Sequence, residues 1–316
     1  MIILNKACSP LSRPLIVCLC AILCCLLWGS AFPGVKTGFE LFNMSPDDAP
    51  SSMVFAGLRF TIAGMMIIAF SSIKNKKFVR PSKKALPKVL SISLFQTILQ
   101  YFFYYIGLAH TSGVKSAVIV GTNVFMVVLM SCLVFRIEKL TVRKLAGCIA
   151  GFIGILIINM SSGGFNFNVT LKGEGFMLFS TIVYSISPAL MKKFSKDEDV
   201  VMISGWQFFI GGVVMAVGGL IAGGRMTGFN LASTSLLIYL SFVSAAAYTL
   251  WSLLLKYNPV SKIAVYGSIN PIFGVILSAI ILGEAKEALS VRTLVALLLV
   301  CMGIVIVNRS KSSNNE

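Results

Sequence analysis

Long uninterrupted runs of apolar residues alternate with short polar stretches along the whole chain. The ten runs cover residues 15–33, 53–73, 87–109, 116–135, 145–160, 175–191, 200–222, 235–255, 263–282 and 291–308. Most of them reach the ~20 residues that an α-helix needs to cross ~30 Å of hydrocarbon. A membrane β-barrel would instead show segments of about ten residues with alternating apolar and polar positions. The pattern therefore predicts an all-α integral membrane protein with ten transmembrane helices.

The chain also contains an internal repeat. The sequence GLRFTIAG at residues 57–64 returns 148 residues later as GWQFFIGG at residues 205–212. Each half of the chain holds five apolar runs, so we expect the repeats to be residues 1–160 and 161–316. Because five is an odd number, the second repeat enters the bilayer from the side opposite to the first. Two inverted five-helix repeats are typical of secondary transporters.

Charged and small residues occupy matching places in the two halves. Glu138 and Glu284 each follow the fourth run of their half, and we interpret both as structural residues at helix ends.

His110, the only histidine, lies just after the third run and is interpreted as a solvated loop residue. Glycine pairs at 211–212 and 218–219 predict close packing of the seventh helix against another helix.

Composition and charge support the membrane assignment and set the orientation. Hydrophobic residues make up 57% of the chain, charged residues 12%, and the mean hydropathy is +0.89. Of 27 Lys and Arg residues, 20 lie in the termini and the loops on the same side, and six in the opposite loops. Positive residues stay in the cytoplasm, so both termini are predicted to be cytoplasmic in the plasma membrane. The net charge of +16 is then a topology signal, and no nucleic-acid partner is expected.

The order and spacing of several short motifs resemble the drug/metabolite transporter superfamily of the EamA type. The motifs are Trp28-Gly29 with Pro33, Arg59-Phe60, Tyr105-Ile106-Gly107-Leu108, Glu138, Pro271 and Leu282-Gly283-Glu284. The resemblance covers nearly the whole chain. It implies a carrier of small metabolites, often an exporter of amino acids or related compounds, with a central cavity between two repeats. Asn123 departs from the family pattern, because many relatives have proline there, which questions a kink in the fourth helix.

Arg59 is the remaining positive residue and lies inside the second apolar run. A charge at the centre of a membrane helix costs about 2.5 to 3.5 kcal/mol on insertion scales. The planar guanidinium could bind a carboxylate or another organic anion of the substrate. It could equally make a structural or gating contact, for example with backbone carbonyls. Its counterpart in the second half is the neutral Gln207, so a charged site would be asymmetric.

A second group of polar and aromatic residues predicts the rest of a substrate cavity. Gln96, Gln100 and Tyr104 recur at every fourth position of the third helix and therefore share one face. They either line the cavity or hold neighbouring helices together by hydrogen bonds. The other candidates, chosen because aromatic walls with few polar points suit small amphipathic ligands, are Trp28, Tyr184, Asn123, Gln207, Tyr248, Trp251 and Asn270.

These features favour a secondary transporter that works by alternating access. The chain has no phosphate-binding glycine loop, nucleophile and base pair, or metal-ligand spacing, so we expect no enzyme, cofactor or metal site. Its partners are expected to be a small-molecule substrate and the lipid bilayer. A channel or a lipid-handling membrane protein is the alternative. Proton coupling, exchange coupling and the oligomeric state stay open at this stage.

Overall fold

A helix forms at each of the ten predicted apolar runs. The computed structural model describes residues 10–134, 140–161, 164–167, 169–195, 197–258, 263, 266–267 and 269–309. The helices are α1 (Pro14–Leu41), α2 (Ala49–Lys74), α3 (Leu86–Ala109), α4 (Gly113–Val134), α5 (Val142–Asn159), α6 (Leu171–Met191), α7 (Val200–Ile221), α8 (Leu231–Tyr257), α9 (Ile269–Ile281) and α10 (Val291–Arg309). The last segment of α6 continues to Phe194.

Seven of these helices, α1 to α4 and α6 to α8, are long and apolar enough to cross a membrane. The apolar parts of α9 and α10 are shorter, and α5 has 18 residues. The prediction of a helical, multi-pass membrane protein is confirmed. The exact number of ten crossings stays a prediction.

One short hairpin departs from the all-α expectation. Met160–Ser161 pairs in antiparallel fashion with Gly164–Phe167 between α5 and α6. The sequence Gly164-Phe165-Asn166-Phe167 alternates aromatic residues with small or polar ones, a pattern that favours an extended strand. The hydropathy pattern had predicted helices only.

The first helix is longer than its apolar run predicted. It passes through Pro33 and ends at Leu41, although the run ends at residue 33. A proline removes one backbone hydrogen bond but leaves the later ones intact, and burial of Val35 and Phe39 stabilises the extra turns. Lys36, one of the six positive residues assigned to the opposite loops, therefore lies within α1.

Three helices are interrupted inside the bundle. The middle of α3, Ser93–Leu99, is π-helical, while α4 breaks at Thr122 and α6 at Ser185. Irregular turns of this kind are frequent at functional sites. The fourth helix is thus interrupted one residue before Asn123, even though it lacks the proline of the family pattern.

Glycines bring α2 and α7 into backbone contact. A methyl group at Gly64 would lie 2.8 Å from the carbonyl oxygen of Gly205, and one at Gly212 would lie 2.7 Å from that of Gly57. Gly57 corresponds to Gly205 in the repeat, and Gly64 to Gly212. Swapping the two halves therefore converts one contact into the other, as a two-fold axis between the helices requires. The predicted packing role of Gly212 is confirmed.

The pair formed by α5 and α10 follows the same relation. A methyl group at Gly147 would lie 2.7 Å from the carbonyl oxygen of Gly303, and one at Gly154 would lie 2.9 Å from that of Ala296. Gly154 and Gly303 are repeat counterparts, as are Gly147 and Ala296. Both helix pairs thus show the reciprocal contacts that a pseudo-two-fold relation between the halves requires.

Candidate functional site

Arg59 lies in α2 and is almost completely buried, with 3% of its surface exposed. Its Nε donates hydrogen bonds to the carbonyl oxygen of Leu240 and to Oγ of Ser244, each at 3.2 Å. Its Nη1 donates to the hydroxyl oxygen of Tyr105 at 3.1 Å. The guanidinium therefore connects α2 with α3 of the same half and with α8 of the other half.

The charge of Arg59 is not neutralised by any carboxylate among the described residues. All three acceptors are neutral, and the Phe60 ring, whose centroid is 5.1 Å from the guanidinium carbon, adds a cation–π contact. Every described Asp or Glu lies in a loop or near a helix end. A buried charge without a counter-ion is expensive, which makes Arg59 the most unusual electrostatic feature inside the bundle.

Aromatic rings from five helices surround this point. The Phe60 ring lies 4.2 Å from that of Tyr101 and stacks on Phe208 at 5.2 Å, measured between centroids. The hydroxyl groups of Tyr101 and Tyr248 are 3.2 Å apart, and Trp28 packs edge-on against Tyr248 at 5.5 Å. These five residues, from α1, α2, α3, α7 and α8, are called the aromatic cluster below. Both halves of the chain contribute to it.

Several buried polar atoms near the aromatic cluster have no hydrogen-bond partner among the described residues. They include Nε1 of Trp28, Oε1 of Gln100 and Nε2 of Gln207. The Gln207 Oε1, in contrast, accepts a hydrogen bond from the Thr97 hydroxyl at 2.5 Å. An unpartnered buried polar atom costs about 1–3 kcal/mol. Such atoms mark places where a ligand or water would complete the hydrogen bonding.

Four other predicted residues lie around the same cluster. Gln96 is buried and interacts with the Tyr248 hydroxyl. Tyr104 is buried, with its ring 5.6 Å from that of Tyr101. Trp251 extends the aromatic contacts on the far side of Trp28, at 5.1 Å. Tyr184 ends the middle segment of α6 near the Tyr101 and Tyr248 hydroxyl groups.

The two predicted asparagines lie near breaks or ends of their helices. Asn123 begins the second segment of α4, and Asn270 lies in the first turn of α9. The Oδ1 atom of each is buried without a partner in the described part of the chain. No hydrogen bond or ring contact between described residues links either of them to Arg59. Pro271 also lies in the first turn of α9, where a missing backbone N–H is readily tolerated.

The partners of Arg59 in the second half were not found by sequence reasoning. Ser244 and Leu240 lie in an ordinary apolar helix, and the acceptor on Leu240 is a backbone carbonyl. A serine within an apolar run is a weak signal that could have drawn attention to Ser244. Nothing in the sequence distinguishes the Leu240 carbonyl from its neighbours.

A second polar cluster lies at the predicted outer end of the bundle. The Glu284 carboxylate accepts hydrogen bonds from the backbone N–H groups of Gly113 and Val114 at 3.0 and 2.9 Å, at the start of α4. Lys36 lies 3.8 Å from Glu284 and donates to the carbonyl oxygen of Thr111 at 2.6 Å. A negative charge at a helix N-terminus is stabilising. The structural role predicted for Glu284 is confirmed, while Glu138 lies outside the described residues.

This second cluster, called the outer network, continues through the start of α6. Glu174 accepts hydrogen bonds from the Thr111 hydroxyl at 2.8 Å and from Lys115 at 3.3 Å. Together with Lys36 and Glu284, these residues line a cavity of about 520 Å³. The outer network joins the α3–α4 corner of the first half to α6 and α9 of the second half.

His110 belongs to the edge of the outer network. Its two ring nitrogens lie 2.9 Å from the Ile106 carbonyl oxygen and 3.1 Å from Oδ1 of Asp47. Hydrogen bonds from Lys172 and then from His110 hold the pKa of Asp47 below its usual value. His110 therefore lies in the loop after α3, as predicted, but it is partly buried and hydrogen-bonded instead of fully solvated.

Comparison with known proteins places these features in context. The profile of the EamA-like transporter family matches residues 15–160 and 171–309. The uncharacterized transporter YvbV of Bacillus subtilis is 28% identical, covering 90% of this chain and 88% of its own length. A probable amino-acid metabolite efflux pump of Escherichia coli is 26% identical, covering 85% and 88%. A solved crystal structure with 18% identity covers 92% of this chain and 94% of its own, with a TM-score of 0.62, so the fold is shared.

Proposed function

Because the chain belongs to the EamA-like transporter family, we propose that it exports a small metabolite, an amino acid or related compound, by alternating access. The observation that carries this proposal is the site around Arg59. It combines a buried charge, an aromatic cluster and unpartnered polar atoms of Gln100 and Gln207, with residues from both halves. A site between two repeats is the arrangement that alternating access needs. The amino-acid export suggested for the Escherichia coli relative agrees with it.

The proposed architecture is two inverted repeats, residues 1–160 and 161–316, that form ten membrane crossings. The symmetric contacts of α2 with α7 and of α5 with α10 support it, because inverted repeats are related by such an axis. Both termini are proposed to be cytoplasmic in the plasma membrane, from the distribution of Lys and Arg. In this arrangement the outer network faces away from the cytoplasm.

Ion pairs join the two halves at both ends of the bundle. At the outer end, Lys36 pairs with Glu284 and Lys115 with Glu174. At the other end of α3, Lys88 pairs with Glu198 before α7 at 3.0 Å. Lys36–Glu284 and Lys88–Glu198 are partly exposed, and ion pairs of this kind contribute only about 0–1 kcal/mol each and can break without a large cost. We propose that the two sets of contacts open in turn as the halves rock about the central site.

Transport across liposome membranes tests this proposal. A comparison of metabolites released by cells with and without the protein identifies the exported compound. Purified protein should then exchange labelled compound against an excess of unlabelled compound on the opposite side, with saturation. Flux without saturation or counterflow would indicate a channel, and movement of labelled phospholipid alone would indicate a lipid-handling protein. Either result would refute the carrier.

Labelling of an introduced cysteine tests alternating access itself. Gln100 is one of the proposed site residues and is buried, so Gln100→Cys in a background without the eight native cysteines reports access from each side. Saturating substrate should raise labelling from one side and lower it from the other. Equal labelling from both sides under all conditions would contradict the mechanism.

A further inference from the structure

We propose that the transported molecule carries a carboxylate or an anionic group of similar size, and that this group binds the free edge of the Arg59 guanidinium. This inference rests on the proposed function, since it concerns the substrate of the same site. It narrows the proposed small metabolites to those that carry an anionic group. Molecules whose only charge is positive are excluded.

The first argument is the hydrogen-bonding capacity of the guanidinium. It has five N–H groups in a planar fork. Nε uses its single N–H on the Leu240 carbonyl and Ser244, and Nη1 uses one of its two on Tyr105. No described residue accepts a hydrogen bond from Nη2. The two N–H groups of Nη2 and the second N–H group of Nη1 remain, and this free edge of the guanidinium can donate hydrogen bonds to a carboxylate.

The second argument is charge balance. Arg59 is 3% exposed, and none of the described carboxylates pairs with it. Of the chain's 11 acidic residues, only Glu138 and Glu316 lie outside the described part. A bound anion would neutralise the guanidinium, whereas a cation would add a second uncompensated charge in a medium of low dielectric constant. The site therefore selects against positive ligands.

The third argument is the surroundings of the free edge. Phe60, Tyr101 and Tyr104 provide ring faces close to the guanidinium. Gln100, one turn before Tyr104 on α3, has an unpartnered Oε1 that can accept a hydrogen bond. The ring faces can also hold an ammonium group by cation–π contact. A zwitterionic amino acid or a simple organic acid fits these features. A molecule without an anionic group leaves the positive charge of the guanidinium unbalanced.

Binding of matched acids and amides tests the inference. The probes are the common amino acids and short aliphatic and aryl carboxylates, each beside its own carboxamide. Their binding to the purified full-length protein is measured as an increase in thermal stability. At least one acid should stabilise the protein, and its amide should bind at least about tenfold more weakly. Stabilisation by amides and acids alike, or by no acid, would overturn the inference.

Variants separate anion binding from a purely structural role of Arg59. Arg59→Gln should remove the preference for the acid over the amide, and Arg59→Lys should keep part of it, because lysine retains the charge but not the fork. Arg225→Gln removes the same charge from an exposed loop position and should keep the full preference. If Arg59→Gln weakened acid and amide binding in equal proportion, Arg59 would be structural only. If Arg59→Gln does not fold, the ratio of acid binding to amide binding is measured for Arg59→Lys instead. A ratio equal to that of the unaltered protein would then overturn the inference.

The metabolite comparison distinguishes failure of this inference from failure of the proposed function. Export of a neutral or purely cationic compound would leave the transporter standing and overturn the anion inference. Absence of any exported compound would instead refute the proposed function. Export of an anionic or zwitterionic compound supports the proposed function. If Arg59→Gln also loses the preference for this compound over its amide, the anion inference is supported as well.

Discussion

The contact between α2 and α7 leads to a quantitative prediction for Gly212→Ala. The new methyl group would lie 2.7 Å from the Gly57 carbonyl oxygen, and side-chain Cβ atoms essentially never come within 3.0 Å of such a group. Because the obstructing atoms belong to the backbone, the two helices must move apart. Overpacking of this kind costs about 1–3 kcal/mol.

Gly218→Ala on the same helix is the matched control. The nearest atom to its new methyl group would be Cε of the flexible Met53 side chain, at 3.9 Å. Both substitutions gain up to ~1 kcal/mol in helix propensity. The difference in stability between the two variants is therefore the packing cost alone, about 1–3 kcal/mol. Gly64→Ala should cost a similar amount, since Gly64 makes the symmetric contact with Gly205.

Thermal unfolding of the purified variants in one detergent measures this difference. We expect Gly218→Ala to match or exceed the apparent Tm of the unaltered protein, and Gly212→Ala and Gly64→Ala to fall below it. Equal apparent Tm values for Gly212→Ala and Gly218→Ala would refute the close backbone contact. A large effect of Gly212→Ala without one of Gly64→Ala would refute the two-fold relation between the halves.

Three further predictions concern polar groups. Glu284→Gln should lower stability by about 1–2 kcal/mol, because it removes a negative charge from the start of α4; Glu287→Gln, measured by the same unfolding assay, should have a smaller effect. Thr97→Val should cost about 1–3 kcal/mol, because it leaves the buried Gln207 carbonyl oxygen without its hydroxyl donor; an unchanged apparent Tm would contradict this. Trp28→Phe removes an N–H that has no described partner but keeps an aromatic ring, so it should reduce transport; normal transport would show that this N–H does not bind substrate.

Much of the fold was predictable because it depends on local properties of the chain. Apolar runs of sufficient length form helices in a membrane, since every backbone group must be bonded within the segment. The glycine pair at residues 211–212 also predicted close packing of α7 correctly. Details within the helices were less predictable. The extension of α1 beyond Pro33 and the break of α4 at Thr122 depend on neighbouring helices rather than on local propensity.

The candidate site was predictable only in part. Arg59 stood out because a charge inside an apolar run is costly wherever it lies. Its hydrogen-bond partners could not be identified, because Leu240 and Ser244 are 181 and 185 residues away in the chain. The same limit applies to Asn123 and Asn270, whose residue types suggested the cavity but whose described contacts do not reach Arg59.

The sequence by itself determined the helical membrane class, the internal repeat and the presence of one buried positive charge. Hydropathy, periodicity and charge act over a few turns and can be recognised without knowing which helices are neighbours. Only the tertiary structure decided that α2 meets α7 through glycines, that α8 supplies neutral acceptors to Arg59, and that part of the guanidinium edge has no described partner. Those features depend on atoms from distant segments meeting at hydrogen-bonding distance, which the order of residues does not specify.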